Sequence, residues 1–396
     1  MLPAWWYSDE IAAGALGLLI EGQSVADLVA EYGTPLYIYS ASVIRRRLSE
    51  LRAALAATGA PFRISYAMKA NRFRPVLEAV RRERDIGIDA CSPREVALAL
   101  DVGFAPEEIS VTSVMPSNRD LSTYAAAGVH VNLDTRSALA RWAATPGHGP
   151  RVGLRIDPGV SAGYGQDPKF AYGSSKFGFA LSAVAEAASF AAELGLEVDE
   201  LHVHVGWGLQ ETAQDALEHV YGRLAALAGL LPTVRVVNTG GGLCWRQHRD
   251  DRPLTPAMWS ELLKTKLAPL GHTIACEPGT YVLASAGVLI AEVNTVEMRG
   301  GVTWIGLNAG HNVNGYAAHY GIPLEIIHVG QPLAPAGLRY NVAGNINEAI
   351  DVFARDTVLP EVREGDLLAF FPAGAYGSSM ASEHCLRALA AEVMVG

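Results

Sequence analysis

Short runs of β-branched or apolar residues alternate with longer amphipathic stretches along most of the chain. Period-2 or continuous apolar runs occupy residues 36–39, 64–67, 86–89, 109–112, 130–132, 152–156, 201–205, 234–238 and 273–276. Between them, apolar positions recur at helical spacing over 41–57, 74–82, 93–102, 180–194 and 212–230. Such alternation without a change of texture predicts an α/β fold with a parallel sheet, and the number of units suits a closed (β/α)8 barrel better than an open sheet. Beyond about residue 284 the helical period gives way to strand-like runs at 287–297, 303–307, 325–329, 338–342 and 366–371, punctuated by glycine, proline and asparagine. These predict a C-terminal β-rich sandwich or barrel domain. The expected organisation is therefore an N-terminal segment, 1–34, packing with the β domain, a barrel over 35–283, and the β domain over 284–396.

Composition narrows the function classes. Half of the 396 residues are hydrophobic and 18% are charged, enough apolar surface for a large core. A net charge of -10, from 31 Lys+Arg against 41 Asp+Glu, argues against a nucleic-acid binder, which needs a basic surface. The four cysteines, Cys91, Cys244, Cys276 and Cys385, are too scattered for a disulfide scaffold or a CxxC zinc site, so no metal is expected and a reducing, cytoplasmic setting is. The apolar run from Ile11 to Ile20 is too short to span a bilayer, and acidic residues flank it where a signal peptide carries positive charge.

In a parallel barrel the working groups emerge where strands end. The run 64–67 leads into Met68-Lys69-Ala70-Asn71, placing a lysine at a strand mouth, where a desolvated amine can form an imine with an aldehyde. His204 closes another run. Asn238-Thr239-Gly240-Gly241-Gly242 follows the next, with exposed backbone N–H groups suited to a phosphate. Glu277 in Cys276-Glu277-Pro278-Gly279 ends the last and can hold a protonated heterocyclic nitrogen. Each signal alone is commonplace: a solvated loop lysine, a structural histidine, an ordinary glycine turn. Together, in that order around one barrel, they describe a pyridoxal 5'-phosphate site.

The chain resembles the alanine-racemase-barrel class of pyridoxal-phosphate enzymes, in the branch of diaminopimelate, ornithine and arginine decarboxylases. The resemblance rests on Tyr32-Gly33-Thr34-Pro35-Leu36-Tyr37, the stretch around Lys69, Asp89 with Ser92 and Glu95, Arg155-Ile156-Asp157-Pro158-Gly159, Ser175-Lys176-Phe177-Gly178, and the motifs at His204, Gly240 and Glu277. It also includes Gly374-Ala375-Tyr376-Gly377 in the β domain. It implies that Lys69 carries the cofactor and serves as an acid–base group, His204 stacks on the ring, and Glu277 binds the ring nitrogen. Asp89 belongs to the same cofactor shell. Gly240, Gly241, Gly242 and Gly279, with Thr280 and the Tyr376 hydroxyl, would meet the phosphate. It further implies a head-to-tail homodimer with shared sites, acting on an amino acid or amino-acid conjugate.

Several positions depart from the family pattern. Asn347 stands where the decarboxylases place the cysteine thought to reprotonate the α-carbon, and an amide is no acid near neutral pH. Thr280 replaces a phosphate-binding arginine, and Trp207 a small hydroxyl residue. Asn308 replaces an aspartate, and His384-Cys385 a Tyr-Asn pair. Arg246, just past the glycine turn, is the nearest cation by sequence to compensate at the phosphate. Glu348, Asp351 and Tyr320 are candidates for the substrate shell. The reading that follows is an α-decarboxylase of a specialised pathway. The alternatives are another fate of the α-carbanion, such as racemisation, coupled transamination or carbon–carbon bond formation, and a catalytically silent regulatory paralogue.

Overall fold

The computed structural model describes residues 4–164 and 175–396. Eight parallel strands close into a barrel: β1 (Phe62–Ala67), β2 (Ile86–Ala90), β3 (Ile109–Thr112), β4 (His130–Leu133), β5 (Arg151–Asp157), β6 (Glu197–Val203), β7 (Val236–Asn238) and β8 (Thr273–Cys276). Each pairs with the next, and β8 returns to β1 through Ile274 opposite Phe62. These strands are nearly continuous buried runs, because helices cover one side and barrel side chains fill the other.

Local chemistry sets the helix starts. Ser92 accepts a hydrogen bond from Glu95 N ahead of Pro93–Val102, with proline in the first turn where its missing N–H costs nothing. Thr135 caps Arg136–Ala143 and Thr255 caps Pro256–Lys266 in the same way. Gly103 and Gly128 end their helices in the left-handed conformation.

The β domain is a mixed sheet ordered Glu325–His328, Leu367–Phe371, Gly287–Arg299, Val302–Leu307, Leu338–Ala343 and Val352–Leu359. The first strand-like run of the sequence belongs here and not to the barrel. Leu36–Ser40 pairs antiparallel with the start of Gly287–Arg299 and parallel with Ala391–Val395. Its alternate residues enter two cores. Tyr37 and Tyr39 join the barrel-side cluster, whereas Leu36 and Ile38 pack with Trp6, Ile11, Leu18 and Ile20 of the N-terminal segment. A strand buried on both faces has the same apolar pattern in either setting, so periodicity could not separate them.

The two lobes are tied at the lysine loop. Tyr376 N donates to Ala70 O at 2.7 Å, Asn71 Nδ2 to Gly374 O at 3.1 Å, and Ser379 Oγ to Lys69 O at 2.9 Å. The β domain thereby fixes the backbone that carries the reactive side chain. No helix among the described residues is long and apolar enough to cross a membrane.

Candidate active site

A cavity of about 440 Å3 opens at the C-terminal ends of the barrel strands. Lys69 sits on a single helical turn, Met68–Ala70, directly after β1. Its Nζ lies 2.5 Å from Oδ2 of the fully buried Asp89 at the end of β2. The lysine side chain faces the cavity's open space although protein surrounds it. Burial pulls its pKa down, but the Asp89 carboxylate overrides this and holds the amine well above its ordinary value. Asp89 is itself pushed up to about 7 by burial and by the Glu277 carboxylate, against the pull of Lys69.

His204 follows β6. Gly241 N donates to its Nδ1 at 3.2 Å, which assigns the proton of the neutral ring to Nε2. Burial, with Arg155 and Lys69 nearby, lowers its pKa to about 3, so the ring stays uncharged and flat at neutral pH.

Glu277, one residue past β8, is the opposite case. Burial alone would protonate it, yet His202 Nε2 lies 2.9 Å from Oε2, and Asn238 Nδ2 donates to Oε1 at 2.8 Å. These partners and Lys69 keep its pKa far below the usual carboxylate range. Asn238 Nδ2 also donates to Glu200 Oε1 at 2.8 Å, and Glu200 Oε2 accepts from Arg63 Nη2 at 2.5 Å. Asn238 Oδ1 accepts from Gly240 N, fixing which way the amide points. A polar chain therefore runs down the barrel interior beneath Glu277.

The glycine turn is shaped by close approach. Gly240 has φ +66°, and a Cβ there would lie 2.4 Å from Val203 O; at Gly242, with φ +111°, it would lie 2.7 Å from Gly206 O. The Gly240 N–H is committed to Asn238, and Gly240 does not line the cavity, whereas Gly241, Gly242, Gly279 and Thr280 do. Tyr376 and Tyr320 also line it. Asn347 and Glu348 are exposed and, with the buried Asp351, lie outside this cavity. Arg246 does not line it either. Among the described residues the cation that does, besides Lys69, is Arg155 at the end of β5, its guanidinium 4.2 Å from the Phe177 ring centroid. Arg155 stands in one of the matching motifs but was not singled out, because it lies far along the sequence from the glycine turn. His202, Asn238, Glu200 and Arg63 were also missed. Their signal is polar and charged residues interrupting otherwise apolar strands.

A primary amine, a flat neutral imidazole, an ionised carboxylate in a dry setting and a side-chain-free turn of N–H groups converge on one cavity. That donor set fits pyridoxal phosphate and defines the class: a cofactor-dependent enzyme working at the α-carbon of an amino acid, on a barrel with an added β domain. The family model for the pyridoxal-binding domain of pyridoxal-dependent decarboxylases matches residues 41–284. The chain is 34% identical over 390 residues to a diaminopimelate decarboxylase of Methanothermobacter thermautotrophicus, covering 96% of this chain and 90% of the relative. It is 31% identical over 398 residues to one of Aquifex aeolicus, with the same coverage. The crystal structure of diaminopimelate decarboxylase from Helicobacter pylori complexed with L-lysine superposes with a TM-score of 0.85 at 26% identity, covering 94% of each chain. The chain belongs to the pyridoxal-phosphate-dependent decarboxylases, carboxy-lyases of the diaminopimelate, ornithine and arginine branch.

Proposed function

We propose that this protein removes the α-carboxylate of an amino acid or amino-acid conjugate in a specialised biosynthetic pathway, with Asn347 in place of the family's cysteine. The bond from the α-carbon to the carboxylate breaks, carbon dioxide leaves, and a proton takes its place. The observation that carries the reading is the convergence of Lys69, His204 and Glu277 on one cavity, with Asp89 against the lysine. When bound, pyridoxal phosphate supplies the electron sink for charge developing at the α-carbon.

The chain's own residues divide the remaining work. Lys69 is the amine that would hold the cofactor and accept or return a proton beside the α-carbon. Asp89 sets how readily that amine gives up its proton. Glu277, kept ionised by His202 and Asn238, would hold a proton on the ring nitrogen, and neutral His204 would cover one ring face. Gly241, Gly242, Gly279, Thr280 and Tyr376 would surround the phosphate, with Arg155 the nearby cation in place of the expected Arg246.

A homodimer with shared sites suits the exposed tip at Asn347, Glu348 and Ile350, which lies outside its own cavity and leaves an isoleucine 75% exposed. The four cysteines are all unpaired, which supports a reducing, cytoplasmic setting. Asn347 favours the second reading, another fate of the carbanion, because an amide supplies no acid. The intact pair of Lys69 and Asp89 speaks against the silent paralogue. The test is carbon dioxide release by the holoenzyme in heavy water over a panel of amino acids. Labelled amine supports decarboxylation; labelled amino acid with no carbon dioxide refutes it in favour of racemisation. Lys69→Ala is expected to abolish both signals.

A further inference from the structure

Glu200, Asn238 and Arg63 do not line the cavity, yet they form a chain that ends on Glu277, which does. Glu200 lies fully buried in β6. Burial would protonate it, but Arg63, His130 and Asn238 outweigh burial and hold its pKa below the ordinary value, so it is ionised at neutral pH. Arg63, the second residue of β1, reaches Glu200 Oε2 from the N-terminal mouth of the barrel, where water meets part of its side chain. Asn238 joins the two carboxylates. Its Nδ2 donates to Glu200 Oε1 and to Glu277 Oε1, each at 2.8 Å, so these oxygens are at most about twice that distance apart. Its Oδ1 accepts from Gly240 N, which fixes the amide and commits both Nδ2 protons. An amide held in this way passes no proton; it keeps two anions at short range in a buried setting.

Like charges this close act strongly on each other, and each raises the affinity of the other for a proton. Arg63 offsets part of the effect. Both carboxylates raise its pKa, Glu200 more than Glu277, because it bonds the first and not the second. The nearer member of the pair is therefore the anion, and the field of the pair at Glu277 is negative. Glu277 also faces His202 from β6, and Lys69 and Asp89 from the cavity side. The Cys91 and Cys276 thiols beside it are pushed up by burial and stay uncharged at neutral pH. At the other end, Asp199 adds its charge near Arg63. Glu200 and Asn238 are buried within a single barrel, so their contacts are complete without a second subunit.

We propose that Glu200 is a positioning residue for the cofactor: acting beside Asn238, its carboxylate strengthens the hold of Glu277 on the proton of the ring nitrogen, and Arg63 sets how much of that charge is felt. The proposal rests on the reading that Glu277 binds the ring nitrogen, and it holds whichever amino acid is decarboxylated. A protonated ring is the stronger electron sink for the α-carbon. The barrel interior thereby tunes that sink from a layer that touches neither cofactor-bearing lysine nor substrate.

The test reads the ring nitrogen itself. Holoenzyme is prepared with pyridoxal phosphate isotopically labelled at that nitrogen, and its magnetic resonance is followed between about pH 6 and 10, alongside the cofactor dissociation constant. Glu200→Gln keeps an oxygen for Asn238 and removes the charge, while Arg63 can turn to water at the barrel mouth. The ring should then lose its proton at least about one pH unit lower than in the native protein. Arg63→Met removes the offset and should move the loss to higher pH or keep the ring protonated throughout. Arg63→Met/Glu200→Gln should fall between the native protein and Glu200→Gln. An unmoved profile in Glu200→Gln overturns the proposal. So do shifts of one sign in Arg63→Met and Glu200→Gln, the mark of a merely structural role. The double variant strands no charge and decides by itself should Glu200→Gln fold poorly: a profile at or above the native one overturns the proposal. Glu277→Gln separates the two readings. A ring that keeps its native profile there refutes the role of Glu277, whereas a ring that loses its proton early there and not in Glu200→Gln refutes the role of Glu200 alone.

Discussion

The buried ion pair beneath Glu277 gives a stability prediction with a definite size and sign. Arg63→Met removes the cation that faces Glu200, whose side chain is 1% exposed, across 2.5 Å. Breaking a fully buried pair costs roughly 3–5 kcal/mol, because the remaining charge is stranded. Here the Arg63 side chain is 36% exposed, so water already screens it, and Asn238 and Asn132 still donate to Glu200. The expected loss at neutral pH is therefore smaller, about 2–3 kcal/mol. Burial alone would raise the Glu200 pKa, but Arg63 and the other partners lower it below the ordinary value. Its contribution in the native chain is thus present above the unfolded carboxyl pKa and lost as pH falls through the lower folded value. In Arg63→Met, burial prevails and the folded pKa rises, so the penalty is absent in acid and grows as pH climbs through it. The gap between the two proteins should be widest at about pH 7 and close only as pH falls through the lowered folded pKa of the native Glu200, below the ordinary carboxylate range. Urea midpoints of the apoenzyme, read by circular dichroism and tryptophan fluorescence for coincidence, measure it. Arg63→Met/Glu200→Gln should recover most of the loss. A single-variant cost under about 0.5 kcal/mol, or a double variant as unstable as the sum of the singles, would refute the reasoning.

Three further outcomes follow from the site. Asp89→Asn removes the carboxylate that holds Lys69 protonated, so burial prevails and the amine is neutral at lower pH. Capture of pyridoxal phosphate by the apoenzyme, followed by absorbance between about pH 6 and 9, should shift toward acid, and an unshifted profile would remove Asp89 from that role. Gly242→Ala forces a side chain into φ +111° against Gly206 O; with about 1–3 kcal/mol of strain in the turn, the cofactor dissociation constant should rise tenfold or more in an equilibrium titration. Asp351→Ala removes the acceptor of His311 N at 2.8 Å and Ile346 N at 2.7 Å. The loss, about 2–4 kcal/mol from two charged hydrogen bonds, should lower the calorimetric melting temperature by several degrees.

What the sequence disclosed, and what it hid, follows from locality. Lys69, His204 and Glu277 were legible because each stands where an apolar strand stops, a one-dimensional mark. The run at Leu36–Ser40 was misassigned because a strand between two cores is apolar on both faces, whichever sheet it joins. Arg246 was chosen for its nearness in sequence to the glycine turn. The structure instead brings Arg155 to the cavity, from a strand whose neighbour in the barrel is β6. The relay from Arg63 through Glu200 and Asn238 to Glu277 joins β1, β6, β7 and the end of β8, so no single motif contains it. Opposite charges at interior positions of different strands were the available signal, and they gain meaning only once the barrel order is known.

Asp351 and Asn347 stand in one segment, yet the structure gives them unequal weight. Asp351 matches the family pattern and so invites a substrate role. Yet its carboxylate accepts from two backbone N–H groups of its own lobe, and a Cβ on Gly344 or Gly310 would lie within 2.6 Å of its oxygens. Those contacts alone are reason to keep an aspartate there: it clamps the loop so that the tip at Asn347 and Glu348 projects outward. Retention of Asp351 therefore supports a preserved loop shape and says little about what the loop touches. Asn347 sits on that shape with its side chain exposed. If Asn347 stands where the family has its cysteine, as proposed, the consequence falls on proton return to the α-carbon, and the experiment in heavy water reads that directly.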